Sequence, residues 1–164
     1  MNVRFESLQI EDCKTMLPQL FDILYVNMTL IAPTGCSYEN DLKIWMEYIE
    51  PRIENKEVSL LLILVADRIV GYFQYSTKDD VLWAEEIEVI PELQRTKLFY
   101  LFCKDFLTQI PAQIRFVCSY VNKDNWNSIK IHEHLGMNRI GENSRGTSWL
   151  YQGDAINMVS CIRR

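Results

Sequence analysis

The stretch "SLLLILVADRIVGYFQYST", Ser59–Thr77, constrains the fold of this chain more than any other. Leu60–Val65 is apolar without interruption. It is strand-sized, and a strand that apolar belongs inside a sheet with both faces covered. Ala66, Asp67 and Arg68 break the run before the next strand begins, which is the pattern of a β-hairpin. Lys78-Asp79-Asp80 then turns the chain into a third strand, Val81–Ile90, which ends at Pro91.

Helical spacing flanks this strand run on both sides. Upstream, a strand at Val3–Leu8 precedes a stripe at Cys13, Met16, Leu17, Leu20, Phe21 and Leu24, which Pro18 should start, kink or split. After the break at Pro33, Thr34 and Gly35, Ser37 is placed to cap a second helix. Its apolar face is Tyr38, Leu42, Trp45, Met46, Ile49 and Ile53, and Pro51 should bend or end it. Downstream, the spacing predicts a helix over Arg95–Ile110 and a strand over Gln113–Tyr120. "NKDNWNSIKIHEHLGMN" follows as a helix that Asp124 or Asn125 caps and Gly136 closes, with Met137 contacting its last turn. Final strands are expected at Asn138–Glu142 and Ala155–Ile162. The order β-α-α-β-β-β-α-β-α-β-β is an α/β layout with a mixed, hairpin-rich sheet. At 164 residues, without repeats or a linker, it reads as one domain.

Several function classes fall away. A net charge of −5 argues against nucleic-acid binding, which rests on clustered Lys and Arg. No apolar stretch is long enough for a bilayer, and the first residues lack a signal-peptide pattern, so a cytoplasmic location is expected. The five cysteines are widely spaced, without a Cys-x-x-Cys pair, and read as free thiols. The two histidines, His132 and His134, are two apart on a helix and make a poor metal pair, so no metal is expected. GxGxxG, Walker-type and Gly-x-Ser-x-Gly patterns are absent.

Taken together, "ILVADRIVGYFQYS", "EEIEVIPELQRTKLF" and "NWNSIKIHEHLGM", in this order, resemble the GNAT superfamily of acyl-CoA-dependent N-acetyltransferases over nearly the whole chain. The resemblance implies a mixed, largely antiparallel central sheet of about six to seven strands flanked by about four helices. It also implies acetyl-CoA as co-substrate, a small-molecule or peptide amine as acceptor, direct attack in a ternary complex, and a homodimer. Backbone groups near Glu88, Val89 and Ile90 would pair with the pantetheine arm, and the turn Gln94, Arg95, Thr96, Lys97, Leu98 and Phe99 would hold the pyrophosphate. Asn125 and Ser128 match the family's later cofactor helix, although Asn125 is equally a helix cap.

This chain departs from the family at two sites. Lys97 and Phe99 stand where the pyrophosphate turn has small residues, chiefly glycine, and His132 stands where the family often has the tyrosine that protonates the thiolate. Free N–H groups at a helix start attract anions, and Arg95 and Lys97 add cationic donors that offset lost backbone approach. For the base that neutralises the amine, the resemblance points to Glu85 first and Glu86 next. Strand alternation sends Glu86 and Glu88 to one face and Glu85 to the other unless a bulge intervenes. His132 is either the acid or a buried structural histidine, with Tyr100 and Tyr120 as substitutes. Acceptor specificity would lie in the Thr29–Tyr38 loop, the second helix and Ser144–Asp154. The rival reading is a non-catalytic GNAT-like binding or interaction module whose phosphate turn has decayed.

Overall fold

A computed structural model of the chain describes residues 2–162. Among these residues are seven strands, β1 (Val3–Ser7), β2 (Ser59–Val65), β3 (Arg68–Lys78), β4 (Val81–Val89), β5 (Phe116–Asn122), β6 (Asn138–Glu142) and β7 (Ser148–Asp154). Five α-helices accompany them, α1 (Cys13–Met28), α2 (Tyr38–Glu54), α3 (Leu98–Gln109), α4 (Trp126–His134) and α5 (Ala155–Ile162). The strands hydrogen-bond in the order β1-β2-β3-β4-β5-β7-β6. β4 runs parallel to β5, whereas β1 with β2, β2 with β3, β5 with β7 and β6 with β7 are antiparallel. The α/β class with a largely antiparallel sheet is as expected. Backbone contacts group the chain into two compact units, one of the residues up to Tyr75 with Glu86–Gln94, the other of Ser76–Glu85 with the residues from Arg95 onward.

In the first unit the β2–β3 hairpin turns on Ala66 and Asp67, at φ 51° and 65°. Two left-handed residues in succession match the right-handed twist of the strands they join. Leu60, Leu62 and Leu64 alternate onto one face and pack with Leu17, Leu20, Phe21 and Leu24 of α1 and Trp45, Ile49 and Ile53 of α2. Ile63 points the other way and is also buried, as the unbroken apolar run requires. Each such side chain contributes about 1.5–3 kcal/mol by leaving water. α1 continues through Pro18 without splitting, and the Ser37 hydroxyl caps α2 by accepting the Asn40 N–H at 3.3 Å.

The second unit keeps both expected ends of α4. Asn125 Oδ1 accepts the Ser128 N–H at 3.0 Å, and Gly136 takes φ 77° while Met137 N–H reaches back to the His132 carbonyl. β5 starts later than the expected Gln113, because Ile114 N–H turns to Pro111 and the Arg115 and Phe116 N–H groups go to the Asp80 carbonyl. The expected strand at Ala155–Ile162 is instead helix α5. Asp154 Oδ1 accepts the Asn157 N–H at 3.0 Å, and the buried Ala155 and Met158 are three apart, so a cap and a helical stripe decide the element.

Candidate active site

β4 carries Glu85, Glu86, Glu88 and Val89, and a short 3-10 turn at Pro91–Leu93 follows it. Its register with β5 covers Val81–Trp83. Every residue from Ala84 to Val89 is half-buried, although β4 lies in the interior of the strand order. Ile90 N–H donates to the Val70 carbonyl at 2.9 Å. Strand alternation therefore turns the main-chain groups of Glu88 and Ile90 toward β3 and those of Ile87 and Val89 away from it. Of the three residues expected to offer backbone groups, Val89 alone faces outward, and its carbonyl already accepts Asn27 Nδ2 at 3.1 Å and Gln94 Nε2 at 3.0 Å.

The carboxylates differ in their partners. Asn27 Nδ2 donates to Glu88 Oε2 at 2.6 Å, and Gln94 Nε2 donates to Asn27 Oδ1 at 2.9 Å. Burial raises the Glu88 pKa from 4.5 to about 7, with the Asn27 bond working against it and the Glu86 charge adding to it. Glu86 accepts from the hydroxyl of the fully buried Tyr72 at 2.8 Å, and Glu85 accepts from Ser76 Oγ at 2.8 Å. Ser76 and Tyr72 have the same parity along β3 while Glu85 and Glu86 are consecutive, so strict alternation does not hold at this point of the strand pair. Asn27 and Tyr72 were not singled out from the sequence. The available signal was an asparagine three residues after Leu24, where the apolar stripe of α1 continues.

The turn after β4 departs from the expected helix start. Gln94 is extended, Arg95 is left-handed at φ 61°, and α3 begins at Leu98, not at Arg95. A left-handed arginine cannot belong to the helix, and Thr96 Oγ1 takes the Leu98 N–H at 3.2 Å. Lys97 has φ −68° and ψ −5°, and Phe99 lies within α3, so neither position demands glycine for its backbone. The strained residue is Arg95. Arg95→Gly is expected to be about 2 kcal/mol more stable than Arg95→Val in urea unfolding, because a β-branched residue tolerates this φ least.

Further along, α3 has neither a side-chain cap nor an acidic residue in its first turn. The Leu98 N–H is taken by Thr96 Oγ1, the N–H groups that follow it in the first turn have no carbonyl within the helix to receive them, and the exposed Arg95 and Lys97 precede them. The Phe99 ring is turned along α3, 6.5 Å from that of Phe102, and with Tyr100, Cys103, Ile131 and Leu135 it lines a cavity of about 500 Å³.

Both nitrogens of His132 are engaged. Nδ1 donates to the Ser128 carbonyl at 2.7 Å, and Nε2 lies 2.9 Å from Ser119 Oγ. Burial, which favours the neutral ring, lowers its pKa, and the hydrogen bond to the Ser128 carbonyl works against it. Tyr151 is fully buried, its hydroxyl shared between Arg139 and Glu133, and Trp149 stacks under Lys123 and Arg139, so both aromatics serve the packing of the second unit. Tyr100 and Tyr120 are about half exposed, at 46% and 49%. Among the described residues all five cysteines are free, no cluster of His, Cys, Asp and Glu is arranged to hold a metal, and no helix is long and apolar enough to cross a membrane.

No family model matches this sequence, and no curated protein does. Solved structures match its fold. The PaiA N-acetyltransferase of Thermoplasma acidophilum, in complex with coenzyme A, aligns over 94% of this chain and 99% of its own at TM-score 0.71 and 14% identity. An acetyltransferase from Thermus thermophilus aligns over 94% and 97% at TM-score 0.74 and 11% identity. A GNAT-family protein from Desulfovibrio desulfuricans aligns over 94% and 99% at TM-score 0.71 and 12% identity.

Proposed function

Proceeding from the GNAT fold, we propose that this chain moves an acetyl group from acetyl-CoA to a primary amine of a small molecule or peptide, by direct attack of the amine on the thioester. The observation that carries this reading is β4. It is an interior strand whose Ala84–Val89 segment stays half-buried and which is followed, after the Pro91–Leu93 turn, by the start of α3, where Thr96 Oγ1 takes the Leu98 N–H and the next N–H groups have no carbonyl within the helix. The outward main-chain groups of Ile87 and the Val89 N–H offer pairing to the amides of a pantetheine arm, the Val89 carbonyl being held by Asn27 and Gln94, and the first turn of α3 with Arg95 and Lys97 offers cationic and N–H donors to a pyrophosphate.

Acetyl transfer needs a neutral amine, because an ammonium has no lone pair to attack with. A carboxylate on β4 takes that proton as the C–N bond forms and the C–S bond breaks, and the departing thiolate takes up a proton in turn. Glu88 holds its proton near neutrality, which suits a base working at pH 7 better than a carboxylate of ordinary affinity. His132 donates to the thiolate only after releasing Ser128, a tie the exposed Tyr120 lacks. A homodimer through the last strands fits β6, which is exposed along its whole length and ends the strand order.

The engagement of Gln94 by Asn27 and of His132 by Ser119 and Ser128 favours the rival, a non-catalytic module of the same fold. Calorimetric titration with acetyl-CoA separates the two. Micromolar binding is expected, weakened about tenfold in Lys97→Ala by loss of one charge-assisted contact. A screen of amines against the loaded protein then identifies the acceptor. No heat and no thermal shift at millimolar acetyl-CoA would overturn the proposal in favour of the module.

A further inference from the structure

We infer that Asn27 is a positioning residue whose amide, locked by Gln94 and the Val89 carbonyl, holds a hydrogen-bond donor on the Glu88 carboxylate and so sets how tightly Glu88 keeps its proton. Its importance for catalysis rests on the acetyl-transfer reading above, but the lock itself is a property of the free protein.

The amide of asparagine has one acceptor and two donors, and its orientation is decided by what surrounds it. Asn27 Oδ1 receives Gln94 Nε2 at 2.9 Å, while Nδ2 serves Glu88 Oε2 at 2.6 Å and the Val89 carbonyl at 3.1 Å. A flipped amide would set its oxygen against two other oxygens and its N–H groups against those of Gln94. Gln94 Nε2 also donates to the Val89 carbonyl at 3.0 Å, which closes the network. Asn27 is 8% exposed and sits near the end of α1, on a face otherwise made of Leu17, Leu20 and Leu24. A buried amide on an apolar stripe is costly unless bonded, and these three partners satisfy it.

The other groups near Glu88 do not replace this donor. Glu86, next but one on β4, is negative and favours the protonated form of Glu88. Tyr72 on β3 gives its hydroxyl to Glu86 at 2.8 Å. Asn27, reaching in from α1, is thus the donor that favours the ionised carboxylate against burial and a like charge. Gln94, which orients Asn27, is also an exposed residue of the turn that follows β4. A ligand that draws Gln94 away would free the Asn27 amide and raise the proton affinity of Glu88.

The test is a carbon-13 titration of glutamate carboxyls in the unliganded protein, with the Glu88 resonance assigned by its loss in Glu88→Gln. Asn27→Leu is expected to raise the Glu88 midpoint by about one unit, a roughly tenfold tighter proton, because one donor to the ionised form is gone. Gln94→Met should move it the same way by less, and since Gln94 is exposed this variant keeps the inference testable if Asn27→Leu does not fold. A merely structural Asn27 would lower thermal stability and leave the midpoint in place, and an unmoved midpoint in the folded variants overturns the inference. Because no transfer is measured, an inactive protein with a shifted midpoint would refute the acetyl-transfer reading alone. In an active protein the ascending limb of the kcat/KM profile should move with the midpoint.

Discussion

Gly71→Ala is expected to destabilise the chain by about 3 kcal/mol or more, at the upper end of what overfilling a packed site costs. A Cβ added at Gly71 would lie 2.3 Å from the Glu88 carbonyl oxygen and 3.2 Å from Val89 Cα and Cγ2. The first of these is a main-chain atom, so no rotamer change relieves the contact, and β4 itself must move. Against a total stability of about 5–15 kcal/mol, such a loss is a large share. Gly141, on β6, is the control: nothing lies within 4 Å of its added Cβ, and Gly141→Ala should stay within about 0.5 kcal/mol of the parent. Urea unfolding of both variants checks this. Equal losses at the two sites would mean that β3 and β4 do not approach each other as closely as described. The displaced segment includes Glu88 and Val89, so any folded fraction of Gly71→Ala should also lose the Asn27 bond.

The second large effect is on pH dependence. Glu88 binds its proton more tightly in the folded chain, at about 7, than at its ordinary 4.5. Between those values the folded state keeps a proton that the unfolded state has lost, so the contribution of Glu88 to stability falls as pH rises from about 4.5 to 7 and is level outside that window. The shift corresponds to a loss of about 3 kcal/mol at pH 8 relative to pH 4. Glu88→Gln, which keeps an oxygen for Asn27 to donate to, should remove this slope and be about 2–3 kcal/mol more stable than the parent at pH 8. His132 works in the opposite direction: with its pKa lowered by burial, its contribution is present above the unfolded value of 6.5 and is lost as pH falls through the folded value. Urea unfolding of parent and Glu88→Gln from pH 4 to 8 cancels the histidine and leaves the carboxylate. A difference that does not change with pH would rule out a raised affinity at Glu88. A carboxylate that destabilises its own fold when ionised is the trade expected of the base that the acetyl-transfer proposal assigns to Glu88.

What was legible in the sequence was local. The apolar run Leu60–Val65 required a strand covered on both faces, Ala66-Asp67-Arg68 marked a hairpin turn, Ser37 and the pair Asp124-Asn125 announced helix starts, and Gly136 announced a helix end. Each of these follows from periodicity or from hydrogen bonds spanning two to four residues, so the α/β class and the element order as far as β6 followed from the chain alone. The misreading of Ala155–Ile162 has the same origin, since its apolar residues suit either period and the cap at Asp154 was overlooked. Only the tertiary structure decided the candidate site. It brought Asn27 to Glu88 across 61 residues and Gln94 to Asn27 across 67, forced Arg95 into a left-handed turn, and bonded His132 to Ser119 and Ser128 in a buried place whose desolvation favours the neutral ring. Proton affinity and amide orientation depend on burial and on partners far away in the chain, and no local pattern encodes which polar group will meet another in the interior.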